Sequence, residues 1–509
     1  MSIISSKSGR SRPPVRVKFM FVERLKTVRE CRNFVDGAFV SSAKYSDVTS
    51  PWTGELIGRV AMSTQADVEG AVRAASVAFP AWKATPIKER CARLFKFREL
   101  VLAKLDTLAN VAALEAGKTT AEARAGILKG IEVCEFALSL QNMDSGGAMD
   151  VSRGVSCEFR REPLGVVVGI APFNFPAMVP MWMYPIALTL GNCFILKPSE
   201  KVPLTSQFMA ELITEAGFPK GVFQLVNGGK EAVEALIDHP AVQAVGFVGS
   251  TPIAKALYAR ATSQGKRALC LGGAKNHLLV VPDADEKITV RGVVDSFTGC
   301  AGQRCMAASL MLAVGQVDHL ISKISDTARS LELGSQMGAI IDKAALNKIT
   351  SAIADAERQG AKILVDGRKA TPPKGYEGGN WIGPTIIDHA KPEMECAKSE
   401  IFGPVVTIVR VKNLTEAMAL EAKSPFGNAT SVFTTSGAVA RFVAETATNG
   451  MIGINIGVPV PREPFSFGGS KESKFGVCDI TGESSLEFWS QRKKITTKWA
   501  EQSDATWMS

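Results

Sequence analysis

Histidine is scarce in this chain: four in 509 residues, at positions 239, 277, 319 and 389, none with a second histidine or a cysteine at ligand spacing. The ten cysteines form no Cys-x-x-Cys pair and no repeated spacing. These absences argue against zinc, and no metal is expected. Also missing is any lysine/arginine tract interleaved with aromatics. The 59 basic and 50 acidic residues are mixed along the chain, and their net charge of +9 is modest at this length. Nucleic acid is therefore not an expected partner. No Gly-x-Gly-x-x-Gly occurs, so the ordinary Rossmann fingerprint is absent. The charge-free run at residues 164–196 is long enough for a membrane span, but Pro172, Pro176, Pro180, Pro185 and three glycines interrupt it. A buried strand, a tight loop and a buried helix fit it better, and no membrane partner is expected. Acidic residues are missing before Glu23, where Lys7, Arg10, Arg12, Arg16 and Lys18 lie. Residues 1–30 thus have a transit-peptide composition, yet Pro13-Pro14 would break its amphipathic helix, and a flexible tail is the other reading. With no secretory signal the cysteines read as reduced thiols. The cytoplasm is the expected location, with the mitochondrial matrix as alternative if residues 1–30 direct import.

What is present is a globular composition, 46% hydrophobic and 21% charged, in a chain long enough for two or three domains. Asn33–Val60 reads as short strands and turns. Thr64-x-x-Asp67 opens a helix carrying Val68, Ala71, Val72, Ala75 and Phe79 on one face, residues 87–116 continue as a helix, and another covers Glu122–Leu138. From Val166 strands and helices alternate, with strands at Val166–Ile170, Cys193–Leu196, Phe223–Val226 and Ala244–Val248. That rhythm predicts a doubly wound parallel sheet binding its ligand at the strands' carboxyl ends. A second α/β alternation follows, with strands near Met311–Val314, Val405–Val411 and Ser431–Phe433. The tail, Lys493–Trp499, alternates like an edge strand and calls for a pairing partner in another subunit.

The chemistry centres on Phe297-Thr-Gly-Cys-Ala-Gly-Gln-Arg-Cys-Met-Ala-Ala308, where Cys305 follows two glycines and Arg304. Glycines allow close approach to a ligand, and a cationic neighbour favours the nucleophilic thiolate. A packed, inert thiol is the plainer reading of the loop alone. Asn174 follows the charge-free strand, and an amide there needs a partner or donates to a developing oxyanion. Lys197-Pro-Ser-Glu200, Gly228-Gly229 and Gly246-Phe-Val-Gly-Ser-Thr251 each end a strand with groups suited to ribose or phosphate. Glu400 stands beside an aromatic in Ser399-Glu-Ile-Phe-Gly-Pro404.

In that order PFNFP, KPSE, GFVGST, GQRC and EIFGP resemble the aldehyde dehydrogenase superfamily over about residues 30–499. The runs KPSEKVP, GAKNH (Gly273–His277), AGQRCMA and PREPFSFGGS resemble its CoA-acylating methylmalonate-semialdehyde branch. The resemblance implies Cys305 as nucleophile, with Asn174 and the Cys305 N–H as oxyanion donors. It implies that Phe173, Lys197, Glu200, Gly228, Ser250, Glu400 and Phe402 bind NAD, and that Arg304 receives a substrate carboxylate. The position of a second arginine is Lys129, in Ile127-Leu-Lys-Gly-Ile131, which keeps the charge but loses the bidentate fork. It also implies an α/β fold with NAD-binding and catalytic doubly wound α/β domains and a small β oligomerisation element. The expected boundaries are a tail at 1–30, NAD-binding segments at 31–145 and 163–275, a catalytic domain at 276–465, and oligomerisation strands at 146–162 and 485–509. A homodimer or homotetramer is expected.

Hydrolytic members carry a glutamate where this chain has Cys270, in Leu269-Cys-Leu-Gly-Gly273. A glutamate raised in pKa by burial can activate water, and a neutral thiol with a reference pKa of about 8.5 cannot do so well. The acyl-enzyme should wait for the thiol of CoA. The expected reaction is NAD-dependent oxidation of malonate or methylmalonate semialdehyde through a Cys305 thioester, giving acetyl- or propionyl-CoA with loss of CO2. A hydrolytic dehydrogenase of another aldehyde and a catalytically silent binding protein on the same fold are the alternatives. The segment Leu331–Ile340 is shorter than the family pattern; it reads as a surface deletion or as a change to the cofactor's exit.

Overall fold

The computed structural model describes residues 22–143 and 146–499. The import reading of the N-terminus lies, for residues 1–21, outside the described residues. Residues 22–31 already belong to the fold: Val22 is buried, the Glu23 N–H donates to Asn110 Oδ1 at 2.9 Å, and Arg29–Cys31 pairs with the strand Leu56–Ala61.

Two sheets organise the chain. The first has eight strands, in the order Lys474–Phe475, Arg267–Leu271, Val242–Val248, Val166–Ile170, Cys193–Lys197, Phe223–Leu225, Asn33–Val35 and Ala38–Val40. Its five central strands, from Arg267–Leu271 to Phe223–Leu225, are parallel and buried along nearly their whole length, as a sheet covered by helices on both faces must be. The second has seven strands, in the order Lys362–Val365, Thr385–Asp388, Val405–Val411, Ala308–Val314, Asn276–Val280, Ala429–Phe433 and Met451–Ile454, all parallel except the first. The chain crosses between sheets at Gly272–Lys275. Each sheet is therefore a doubly wound α/β unit.

The charge-free run becomes the strand Val166–Ile170, a loop, the helix Met178–Thr189 and the strand Cys193–Lys197. Every residue of that helix is buried, which explains a run apolar on all sides. Among the described residues no helix is long and apolar enough to cross a membrane. Thr64 and Asp67 form the capping box expected of them, with the Thr64 N–H donating to Asp67 Oδ2 at 2.8 Å. Residues 87–116 are two helices, Ile87–Ala103 and Leu105–Ala116, broken at Lys104 (φ −108°, ψ 17°). The break turns the second segment into the core, where nine of its twelve residues are buried, a tertiary effect without a proline or glycine signal.

The C-terminal strand Ser490–Lys498 pairs antiparallel with Val155–Pro163 of its own chain, and Gly147–Ser152 lies on the far side. The partner strand expected from another subunit is thus supplied internally. Among the described residues, the two outer strands of this three-stranded sheet have no further strand partner.

Candidate active site

The first sheet's carboxyl ends face the second sheet's amino ends. From the first come Phe173 and Asn174 after Val166–Ile170, Lys197 closing Cys193–Lys197, Gly228 and Gly229 after Phe223–Leu225, and Gly249 and Ser250 after Val242–Val248. From the second come Cys305 before Ala308–Val314 and Glu400 and Phe402 before Val405–Val411. A cavity of about 750 Å³ runs between them, and Phe173, Asn174, Lys197, Glu200, Ser250, Cys305, Glu400 and Phe402 all line it. Val166–Ile170 sits where strand order reverses in the first sheet, the usual ligand crevice of such folds.

The loop that carries Cys305 is held in an unusual shape. Cys300 (φ 52°), Ala301 (φ 51°) and Gly302 (φ 69°) are successive left-handed residues, and a Cβ on Gly302 would overlap the Gly403 carbonyl. Two positive-φ residues with side chains are costly, so the surroundings must impose them. Glu122 Oε1 accepts the Cys300 N–H at 2.5 Å, and Lys118 Nζ, buried 3.2 Å from Cys300 Sγ, lies 3.2 Å over the Phe175 ring. Gln303 is anchored from both sides, its Nε2 donating to Ala339 O at 3.2 Å and its Oε1 accepting from Ile341 N at 3.0 Å. Met337–Ile341 is thus a buried brace behind the loop.

Asn174 Nδ2 donates one N–H to Gln303 O at 2.9 Å, leaving the other for the cavity. Cys305 is partly exposed to that cavity. Burial pushes its thiol up to about 12, and the negative charge of Glu400 adds to this; the backbone N–H groups of Cys305 and Met306 and the charge of Arg304 work the other way. The charge of Arg304 does favour the thiolate, as its place beside Cys305 suggests, but it is not the dominant influence. Arg304 folds back over Gly299 and donates from Nη2 to the carbonyls of Asp295 and Ser296, so desolvation and Glu400 outweigh it.

Glu400 is itself desolvated, and burial raises its carboxyl to about 7 although Ala274 N donates to Oε1 at 3.1 Å. Lys275 faces it, its ammonium lowered to about 8 by burial while Nζ donates to Cys396 O at 2.8 Å. Lys197 is also buried, which lowers its ammonium, and lies 3.5 Å from Glu200 Oε2, at the long limit of a hydrogen bond. Such a pair is free to take further hydroxyl partners. Phe173 and Phe402 meet edge to face at 5.9 Å. Two helix amino termini converge nearby: Gly229 precedes the helix Lys230–Asp238, and Ser250 precedes Thr251–Ser263. Both suit an anion. Gly228 (φ +132°) shapes the first turn without lining the cavity, a role that falls to Gly229.

Three other residues lie apart from the cavity lining. Cys270 is fully buried, opposite Phe475, and burial pushes its thiol up to about 12, so it cannot act as a base. Lys129 Nζ is 2.7 Å from Glu132 Oε2 and 3.4 Å from Glu463 Oε2, and it lies outside the lining, as does Arg304. Asn276 and Asn428, which sequence reasoning did not single out, both donate to the Cys305 carbonyl, at 2.7 and 2.9 Å. Only the GAKNH run pointed toward the first.

The aldehyde dehydrogenase family model matches residues 39–495. A rat mitochondrial acylating methylmalonate-semialdehyde/malonate-semialdehyde dehydrogenase is 40% identical over 482 residues, covering 93% of this chain and 90% of the relative. The malonate-semialdehyde dehydrogenase 2 of Shouchella clausii (strain KSM-K16) is 41% identical over 490 residues, covering 94% of this chain and 100% of the relative. A protein from Sinorhizobium meliloti 1021, solved in complex with NAD, superposes with a TM-score of 0.92 at 40% identity, over 94% of this chain and 100% of that one.

Proposed function

The chain belongs to the aldehyde dehydrogenase family, and we propose that it is the NAD-dependent, CoA-acylating oxidoreductase of malonate and methylmalonate semialdehydes. The observation that carries this is the pairing of a thiol cavity with a missing base. Cys305 shares its cavity with Asn174 and the Lys197–Glu200 pair, while the position of a water-activating glutamate holds the buried thiol Cys270. Both relatives are named for malonate semialdehyde, the rat protein also as acylating, and each match covers nearly the whole chain.

The cavity residues fit NAD. The Lys197–Glu200 pair would take the adenosine ribose hydroxyls, the turns at Gly228–Gly229 and Ser250 the pyrophosphate, and Glu400, Phe402 and Phe173 the nicotinamide half. A carboxylate at Glu200 would repel a 2′-phosphate, which favours NAD over NADP. When bound, NAD supplies the hydride acceptor. Cys305 attacks the aldehyde carbon as its thiolate, and the free N–H of Asn174 and the Cys305 N–H receive the developing oxyanion. Loss of hydride leaves a thioester on Cys305. With a thiol above its useful range at position 270, water is poorly activated, and the thiol of CoA takes the acyl group. The substrate carboxylate leaves as CO2, giving acetyl- or propionyl-CoA. Arg304 and Lys129 are the cations assigned to that carboxylate, and each would have to leave its present partners to reach it.

The protein is a homodimer or homotetramer in this reading, assembled through the open edges of Gly147–Ser152 and Ser490–Lys498. It works in the cytoplasm, or in the mitochondrial matrix if the residues ahead of Val22 direct import.

The test is NADH formation from malonate semialdehyde with and without CoA. The expected result is one enzyme equivalent of NADH without CoA, then steady turnover and acetyl-CoA when CoA is added. A full steady-state rate without CoA would favour the hydrolytic reading instead. Absence of any burst would favour a silent protein.

A further inference from the structure

The GAKNH run contains a contact that the reaction scheme above leaves unused. Asn276 opens the strand Asn276–Val280, and Asn428 precedes the adjacent parallel strand Ala429–Phe433; both are buried. Asn276 Nδ2 donates to Cys305 O at 2.7 Å and to Ala307 O at 3.0 Å. Asn428 Nδ2 donates to the same Cys305 O at 2.9 Å. The pair is cross-braced: Asn276 Oδ1 accepts from Asn428 Nδ2 at 3.2 Å and from Ala429 N at 3.0 Å. Two side-chain amides therefore converge on one carbonyl, that of the nucleophile.

A trans peptide is planar, with its carbonyl and the following N–H pointing in opposite directions. Holding the Cys305 carbonyl toward the second sheet turns the Met306 N–H the other way, toward the side of the thiol, where it and the Cys305 N–H favour the charged sulfur. A carbonyl that accepts two hydrogen bonds also polarises its peptide and strengthens that N–H as a donor. We propose that Asn276 and Asn428 are positioning residues for the nucleophile, fixing the Cys305–Met306 peptide so that backbone N–H groups support the sulfur anion. The device answers a need specific to this site, since burial and Glu400 both oppose the thiolate and Arg304 is turned away. It rests on Cys305 being the nucleophile.

The experiment compares Asn428→Leu, which keeps bulk and removes both N–H donors, with the parent enzyme and Cys305→Ser. Four quantities are measured: the Kd for NAD, the KM for malonate semialdehyde, the rate of the NADH burst, and the rate of Cys305 alkylation by iodoacetamide. The expected result is a Kd and a KM within about twofold of the parent, with burst and alkylation each slowed about tenfold, the upper scale of one lost amide–carbonyl hydrogen bond. Burst and alkylation rates within about twofold of the parent would overturn the proposal, the threshold lying well inside the loss of one such bond. So would a parallel loss of NAD binding and KM, which marks general damage. If Asn428→Leu does not fold, Asn428→Ser is read by the same criteria. A burst that survives in Cys305→Ser would refute the nucleophile itself, a separate failure.

Discussion

Replacing Glu400 by glutamine should make Cys305 more reactive toward an alkylating agent. Glu400 is second only to burial in holding the Cys305 thiol up at about 12, and its own carboxyl is raised to about 7. Two unit charges roughly 4 to 8 Å apart at an effective dielectric of about 20 interact by about 2 to 4 kcal/mol. Burial remains in the variant, so a lower bound of one pK unit is used, worth about 1.4 kcal/mol and a tenfold gain in thiolate. The sign fixes where the gain appears. Below pH 6 Glu400 is already protonated, and parent and variant should react alike. As pH rises through 7 the parent's carboxylate ionises and opposes the thiolate, so the ratio of variant to parent should climb and level off above pH 8. Lys275, lowered to about 8, and Lys348 also face Glu400, so Lys275→Met serves as the control for a change in their charge. The assay is peptide-resolved iodoacetamide labelling of Cys305 from pH 5.5 to 9, because nine other cysteines are present. A ratio near one at pH 8.5, or a ratio indifferent to pH, would refute the reasoning. The NADH burst should fall in the same variant, because the carboxylate proposed to hold the nicotinamide ribose is gone.

Two further outcomes are expected. Gly302→Ala places a Cβ against the Gly403 carbonyl at a left-handed φ of 69°, so it should lower stability by at least the 1–2 kcal/mol, roughly, of that backbone strain. Differential scanning fluorimetry reads the loss, and an unchanged Tm would show that the loop can adopt another course. Lys129→Met tests the substrate role against the Glu463 contact. If Lys129 meets the substrate carboxylate, the KM for malonate semialdehyde rises about tenfold, the scale of one charged hydrogen bond, while that for propanal stays put. A KM for malonate semialdehyde unchanged from the parent would leave Lys129 as a partner of Glu132 and Glu463 only.

The fold was legible where sequence period and burial agree. Val166–Ile170 and Cys193–Lys197 are buried on both faces and read as unbroken apolar runs, and the helix between them is apolar because it has no exposed side. The break at Lys104 was not legible, since tertiary packing, rather than a breaker residue, imposes it. Among site residues, Asn174, Lys197, Glu200, Glu400 and Cys305 share one cavity because each ends, follows or precedes a strand at the meeting of the two sheets. Adjacency in sequence did not reveal where the guanidinium of Arg304 goes: Gly299 offers no side chain to keep it out, and the carbonyls of Asp295 and Ser296 accept from it.

The same geometry explains why the Asn276–Asn428 clamp escaped a reading by motif. Its two members and their target lie in three segments separated by 29 and 123 residues, so no local pattern announces them. They converge because Asn276–Val280, Ala308–Val314 and Ala429–Phe433 are neighbouring parallel strands, with all their amino ends at one edge. Parallel pairing brings residues just before each strand together whatever the length of the crossover between them. A carbonyl at that edge has no ladder partner, and side-chain amides from the neighbouring strand ends supply the donors it would otherwise lack. The backbone at Cys305 is thus set by the sheet itself. Its thiol, the proposed nucleophile, stands on that edge, and the cavity faces it from the carboxyl ends of the other sheet.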